Sequence, residues 1–319
     1  MDADAALAST SAHPRQPPRP LGIGLPYIAE LPAEIYRSGL MDFVEVTPEE
    51  LCRELRKGNE KTLALIPAQL DRALETCAGL PSVVHGVELS IGAADGWNSA
   101  YVRMLDELRS AWPFRWHSEH LGFQTVAGAY GDELEIGVPL PLPCTAEAAA
   151  LVIPRAAALG VRYGVPFLLE NPAHYFRTLP CDLQIGGEVG LMNRIVRGAQ
   201  CWQLLDLHNL YCNAVNFGNS VRDLLDQVNL DHVVEIHVAG GSWFNGYYMD
   251  GHDGRVPEPV WELLEEVLER ASNVAGVVFE VLSDVAPRLG TTLIAGELER
   301  AHRIWHRHRG REKSEASGC

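Results

Sequence analysis

Along the chain, short β-branched apolar runs alternate with longer stretches whose apolar residues recur every three to four positions. The runs are LGIGLP (21–26), FVEVTP (43–48), SVVHGVEL (82–89), FRWHSEHLGF (114–123), PFLLENP (166–172), WQLLDLHN (202–209), VVEIHVAGG (233–241) and GVVFEVL (276–282). Helix-period stretches separate most of them, such as NEKTLALIPAQLDRALETCAG (59–79), TAEAAALVIPRAAALG (145–160) and PVWELLEEVLERASN (259–273). Strand followed by helix, eight times over, predicts an α/β fold: a (β/α)8 TIM barrel in a single domain, with a doubly wound open sheet as the next choice. No GxGxxG or GxxxxGK[ST] loop follows the first run, which removes the main reason to prefer the open sheet. Residues 1–20, rich in Ala, Ser and Pro without periodicity, read as a flexible tail. The barrel is expected over 21–305, and 306–319 as a polar tail whose His and Arg run is a solvated helix end.

Within the apolar runs, polar residues stand where a buried strand calls for apolar ones, and they lie near the C-terminal ends. They are Glu45, His85, His117 with Glu119 and His120, Glu170 with Asn171, Asp206 with His208 and Asn209, Glu235 with His237, and Glu280. In a barrel the C-terminal strand ends converge on one mouth, so these groups would meet there. Singly, each has an ordinary reading: a core histidine bonded to backbone, or half of a buried ion pair. Together they are many carboxylates and imidazoles with almost no Lys or Arg, Arg115 being the nearest cation. Unpaired buried carboxylates are costly, so a bound cation is expected. Nitrogen and oxygen donors without thiolate suit Fe, Mn or Zn, and their number exceeds what one catalytic ion takes, which makes two or three metals plausible. The loop MDGHDG (249–254) would bring Asp250 and His252 back over the mouth, with Asp253 as turn chemistry. The preceding SWFNGYYM (242–249) reads either as a lid or peptide-contact surface or as packing against the rim.

Composition narrows the function. The 319 residues carry 26 basic and 42 acidic side chains for a formal charge of −16, which argues against nucleic acid as a partner. Seven scattered cysteines without a CxxC pair read as reduced thiols, no run of about 18 apolar residues occurs, and the start lacks a signal-type apolar segment. A cytoplasmic protein with no membrane partner is expected. No GxSxG elbow is present, so nucleophilic acyl transfer has little support.

In order, VVHGVELSIG, SEHLGF, LLENP, LLDLHNLYCNA, EIHVAGG, MDGHDGRVPEPVW and VVFEV resemble the multinuclear non-heme iron-dependent oxidative enzymes, over about residues 21–285. That family includes the methanobactin-biosynthesis iron oxygenase and relatives that modify cysteine, aspartate or asparagine in ribosomally made peptides. The resemblance implies a xylose-isomerase-like TIM barrel holding two or three iron ions, mixed-valent Fe(II)/Fe(III), with O2 as co-substrate. It implies His85, His120, Glu170, Asp206, Asn209, His237, Asp250, His252 and Glu280 as metal ligands, with Glu170 bridging, and His120, Glu170, Asp206 and His237 as the catalytic core. Glu45, Glu119, Asn171 and His208 would hold those ligands in place. It also implies a precursor peptide as substrate and a separate leader-peptide-binding protein as partner. His208 stands where the family more often has Asn, and Phe217 where many relatives have His. Two other classes compete: a barrel metallohydrolase or sugar isomerase using two or three metals, and a non-catalytic metal-binding protein.

Overall fold

The computed structural model describes residues 16–57, 60–127, 133–175 and 185–315. Residues 1–15 of the expected N-terminal tail, 316–319 of the C-terminal one, and Cys181 lie outside the described residues.

All eight apolar runs supply a barrel strand: β1 (Gly22–Pro26), β2 (Phe43–Val46), β3 (Ser82–Gly86), β4 (His117–His120), β5 (Phe167–Glu170), β6 (Trp202–Asp206), β7 (Val233–Val238) and β8 (Gly276–Phe279). Each pairs in parallel with its sequence neighbours, and β1 pairs with β8 (Gly22↔Gly276, Ile23↔Val277), so the sheet closes on itself. This is the expected TIM barrel. The chain steps inward and outward with a period of two. Ile23, Val44, Val84 and Val277 join the outer core against the helices, whereas Phe43, Val83, Trp116, Leu168, Trp202, Leu204 and Val278 form a separate apolar plug inside. Gly24 faces that plug: a Cβ there would stand 2.5 Å from the Phe43 ring, so β1 gives up inward side chains to make room.

Helices are set by local signals. Asn98 and Thr145 cap the helices Ser99–Ala111 and Ala146–Tyr163 by accepting from backbone amides three residues on, and Gly164 ends the latter in the left-handed conformation. One sequence expectation is corrected. In NEKTLALIPAQLDRALETCAG only Pro67–Thr76 is helical, and Glu60–Leu65 instead pairs antiparallel with Cys52–Lys57. Pro67 explains the break, because proline is favoured in the first helical turn and disfavours helix in the residue before it. Two further hairpins, Gly122–Ala127 with Glu133–Pro141 and Ser242–Phe244 with Tyr247–Met249, follow β4 and β7. The last helix, Thr291–Glu315, runs through the start of the expected polar tail, so the His and Arg run is indeed part of a helix. Among the described residues, no helix is long and apolar enough to cross a membrane.

Candidate metal centre at the barrel mouth

Two residues further along each inward-facing file, the apolar plug gives way to polar groups: Phe43 to Glu45, Val83 to His85, Leu168 to Glu170, Leu204 to Asp206, Val278 to Glu280. Glu45, His85, Glu170, Asp206 and His237 are all buried, and one donor atom from each of Glu170, Asp206, His237 and Glu280 lies within 4.8 Å of the others. His85, Glu170 and His237 form an overlapping group of three within the same distance.

The histidine tautomers can be deduced. The Ser118 hydroxyl donates to Val84 O (3.2 Å), so at 3.0 Å from His85 Nδ1 it accepts from an Nδ1–H. His120 Nδ1 faces Gly86 O at 3.3 Å, a group that only accepts, so it too carries the proton. In the neutral ring each Nε2 is then the atom with the lone pair, and each stands 3.2 Å from the same oxygen, Glu170 Oε2. That oxygen and His85 Nε2 are buried without a hydrogen-bond partner among the described residues. Two imidazole nitrogens beside one carboxylate oxygen, each ring held through its other nitrogen, is an arrangement that suits a bound cation.

The remaining donors continue from Glu170. Asn209 Nδ2 donates to Glu170 Oε1 (3.2 Å), while the Asp206 carboxylate caps the helix Leu207–Phe217 by accepting from Asn209 N and leaves its Oδ2 buried and unpartnered. Asn171 grips the Asp206 backbone from both sides, accepting from its N–H (3.0 Å) and donating to its carbonyl (2.9 Å). His237 lies between Glu280 Oε2 at Nδ1 and Glu45 Oε2 at Nε2, both 3.0 Å. On the loop after β7, Asp250 Oδ1 stands 2.8 Å from both His208 Nδ1 and His252 Nε2, and His252 Nδ1 reaches Glu280 Oε1 at 3.6 Å. His252 holds this position from a left-handed backbone (φ +47°).

Charge balance shows how much cation the cluster demands. Burial, with the neighbouring Glu280 charge, pushes the Glu170 carboxyl well above its ordinary range, and burial with Glu170 does the same to Asp206. Burial opposes ionisation of Glu280 too, but the charges of His252 and His237 hold it down; Asp250 is likewise held down by His252 and His208 against burial. Burial also works against protonated His252, yet Asp250 and Glu280 raise it to about 10, and Glu45 and Glu280 raise His237 in the same way. With protein groups alone, protons must neutralise this cluster, which is the work a bound metal does when it displaces them. Arg115 does not help, being exposed. The donors are nitrogen and oxygen only, since burial keeps the nearby Cys212 a protonated thiol. The residues present fit a multinuclear site.

All nine expected ligands thus gather at the mouth, with Glu45, Asn171 and His208 bonded to members of the set. Glu119 does not join them. The parity that turns Ser118 and His120 inward turns Glu119 outward, where it bonds His117 Nε2 (2.6 Å), and burial raises it to about 8. Glu235 lies in the plug layer, accepting from Trp116 Nε1 (2.8 Å), and burial followed by the Glu45 charge raises it to about 8. Phe217 stacks on His174 (centroids 4.8 Å apart, 16°). The sequence reading missed Ser118, Tyr175, whose hydroxyl accepts from Asp250 N (3.0 Å), and Asn216, which grips Tyr248. Strand parity could have found Ser118; the other two lie outside the barrel strands and leave no such signal.

The fold class is shared by solved xylose-isomerase-like TIM barrels. One from Mycobacterium smegmatis, crystallised in complex with magnesium, is 14% identical with TM-score 0.53, aligned over 90% of this chain and 97% of its own. A xylose isomerase domain protein from Planctomyces limnophilus is 11% identical with TM-score 0.52, over 92% and 100%. The particular family follows from the sequence. Residues 22–306 match the RiPP precursor modification enzymes MbnB/TglH/ChrH, and the chain belongs to that family, whose substrates are precursors of ribosomally synthesised, post-translationally modified peptides. Relatives include a UPF0276 protein of Caulobacter vibrioides, 34% identical over 248 residues (78% of this chain, 81% of that one), and one of Anaeromyxobacter sp., 32% identical over 211 residues (66% and 71%).

Proposed function

We propose that the protein oxidises a ribosomally made precursor peptide using two or three iron ions and O2. The observation that carries this reading is the meeting of two imidazole nitrogens on Glu170 Oε2, in a chain whose family modifies peptides. His85, His120 and Glu170 would hold one iron, and Asp206, His237 and Glu280 with Glu170 the next. Asp250, His252 and Asn209 complete the set. Bound there, mixed-valent Fe(II)/Fe(III) would supply Lewis acidity toward a substrate donor atom and would pass electrons from the peptide to O2.

The chain's own residues orient and protect. Ser118 and the Gly86 carbonyl keep the His85 and His120 Nε2 atoms available, and Glu45, accepting from His237 Nε2–H, would leave Nδ1 free for metal. Loading iron then requires His237 and His252 to give up protons, so metal uptake should release acid. A separate leader-binding protein and a cytoplasmic setting belong to the same reading; the free thiols Cys52, Cys77 and Cys212 suit a reducing compartment.

Elemental analysis of protein purified without oxygen, followed by O2 uptake and mass spectrometry of a co-expressed precursor peptide, tests this. Two or more irons per chain with an oxidised peptide are expected. Zinc or manganese with hydrolytic or isomerase activity would establish the metallohydrolase alternative, and metal without any turnover a binding protein.

A further inference from the structure

The hairpin between β7 and the Asp250–His252 loop is an unusual surface. Trp243 and Phe244 are each 64% exposed and Tyr247 40%, on a segment that is otherwise held firmly. Its two-residue turn has left-handed Asn245 (φ +48°) and Gly246 (φ +85°), which makes Phe244↔Tyr247 the hydrogen-bonded closing pair. In the next pair, Trp243↔Tyr248, the Tyr248 backbone points away from its partner strand. Its N–H donates to Asn216 Oδ1 (2.7 Å) and its carbonyl accepts from Asn216 Nδ2 (2.9 Å). By the alternation of an antiparallel ladder, the Trp243 N–H and C=O point out of the opposite edge, where they have no partner among the described residues. One edge of the hairpin is thus closed by an asparagine, and the other, among the described residues, is open.

From this geometry we infer that the open edge at Trp243 receives an extended segment of the substrate peptide as an added strand. The inference rests on the peptide-modifying reading above. Strand addition supplies sequence-tolerant backbone bonds, and the exposed aromatics supply apolar contact. The hairpin is continuous with the metal centre: Tyr247–Met249 runs directly into Asp250, and the Tyr248 ring packs edge-on to His208 (5.7 Å), which bonds Asp250. Residues 239–254 carry Asp250 and Asp253 but no Lys or Arg, in a chain of net charge −16, so the segment it takes is neutral or basic. Lysine or arginine beside the paired residue would stack on Trp243, Phe244 or Tyr247.

The test uses random linear twelve-residue peptides displayed against the metal-loaded protein, followed by dissociation constants for synthetic copies of the enriched sequences. Enrichment of neutral or basic peptides is expected. Trp243→Pro, which removes the edge N–H, should weaken them about tenfold while metal content and thermal midpoint stay at wild-type values. An N-methyl scan of one such peptide on the unaltered protein should show a similar loss at one residue, with both neighbours tolerant. Binding indifferent to Trp243→Pro and to every N-methyl group overturns the strand-addition site and leaves the peptide-modifying reading standing. No enriched peptide at all overturns both.

Discussion

Inside one barrel, two layers only two residues apart are built on opposite principles. The lower layer, with Phe43, Val83, Trp116, Leu168, Leu204 and Val278, is filled by apolar packing and owes its stability to excluded water. The upper layer, with Glu45, His85, Glu170, Asp206, His237 and Glu280, crowds groups that oppose burial unless protons or metals neutralise them. The lower layer makes the upper one affordable, because a rigid plug fixes the strand ends from which the donors project. Glu235 is the exception that tests the rule: a carboxyl in the apolar layer, raised to about 8 by burial, with Trp116 Nε1 donating to it.

The contrast can be broken from either side. Glu170→Ala should have the largest effect, lowering metal affinity more than about 100-fold, since both imidazole lone pairs lose their shared oxygen. Metal titration followed spectroscopically checks it, and unchanged affinity would remove Glu170 from the centre. Leu168→Ala, one step down the same strand, should cost about 2–5 kcal/mol of stability in denaturant melts while metal bound per folded molecule holds. If it instead emptied the centre of metal, the two layers would not be separable. Ser118→Ala should weaken metal binding about 10–100-fold with little loss of stability, by freeing the His85 ring to change tautomer; normal binding would refute the tautomer argument.

The smallest expected effect lies outside both layers. Glu49 accepts from the Val87 and Glu88 amides (2.8 and 2.7 Å), and burial, followed by the Glu119 charge, raises it from 4.5 to about 8. Below 4.5 the folded and unfolded chains both hold this proton. As pH rises toward 8 the unfolded chain gives it up first, so stability falls across that window. Glu49→Gln should flatten that part of the stability–pH curve, and an unaltered slope would show that the carboxyl ionises normally.

Much of this is legible in the sequence. The eight strands could be read because a barrel strand buried on both faces is a dense β-branched run, and the cluster of candidate donors because polar residues intrude at the ends of those runs. Asp250 and His252 were legible for a different reason, as a loop carrying donors between glycines. The hairpins were not: Glu60–Leu65 has apolar residues at spacings that serve a helix equally well, and only the pairing with Cys52–Lys57 decides between them. Glu119 was misjudged because nearness in sequence to His120 was weighed without strand parity. Glu49 sits in a turn whose contacts are made 38 and 39 residues away, which no local pattern encodes.

The closing pair of the barrel, β1 against β8, carries one more consequence, and it concerns timing. Glu280 lies just beyond the end of the strand that makes this last seam, whereas His85, His120 and Glu170 belong to strands synthesised well before it. A chain still leaving the ribosome can present the early imidazoles but not the complete set of donors. Completion of the donor cluster is therefore an event of the finished molecule, and on the metalloenzyme reading proposed above a truncated or stalled chain would be recognisable in the cell as one that never loads.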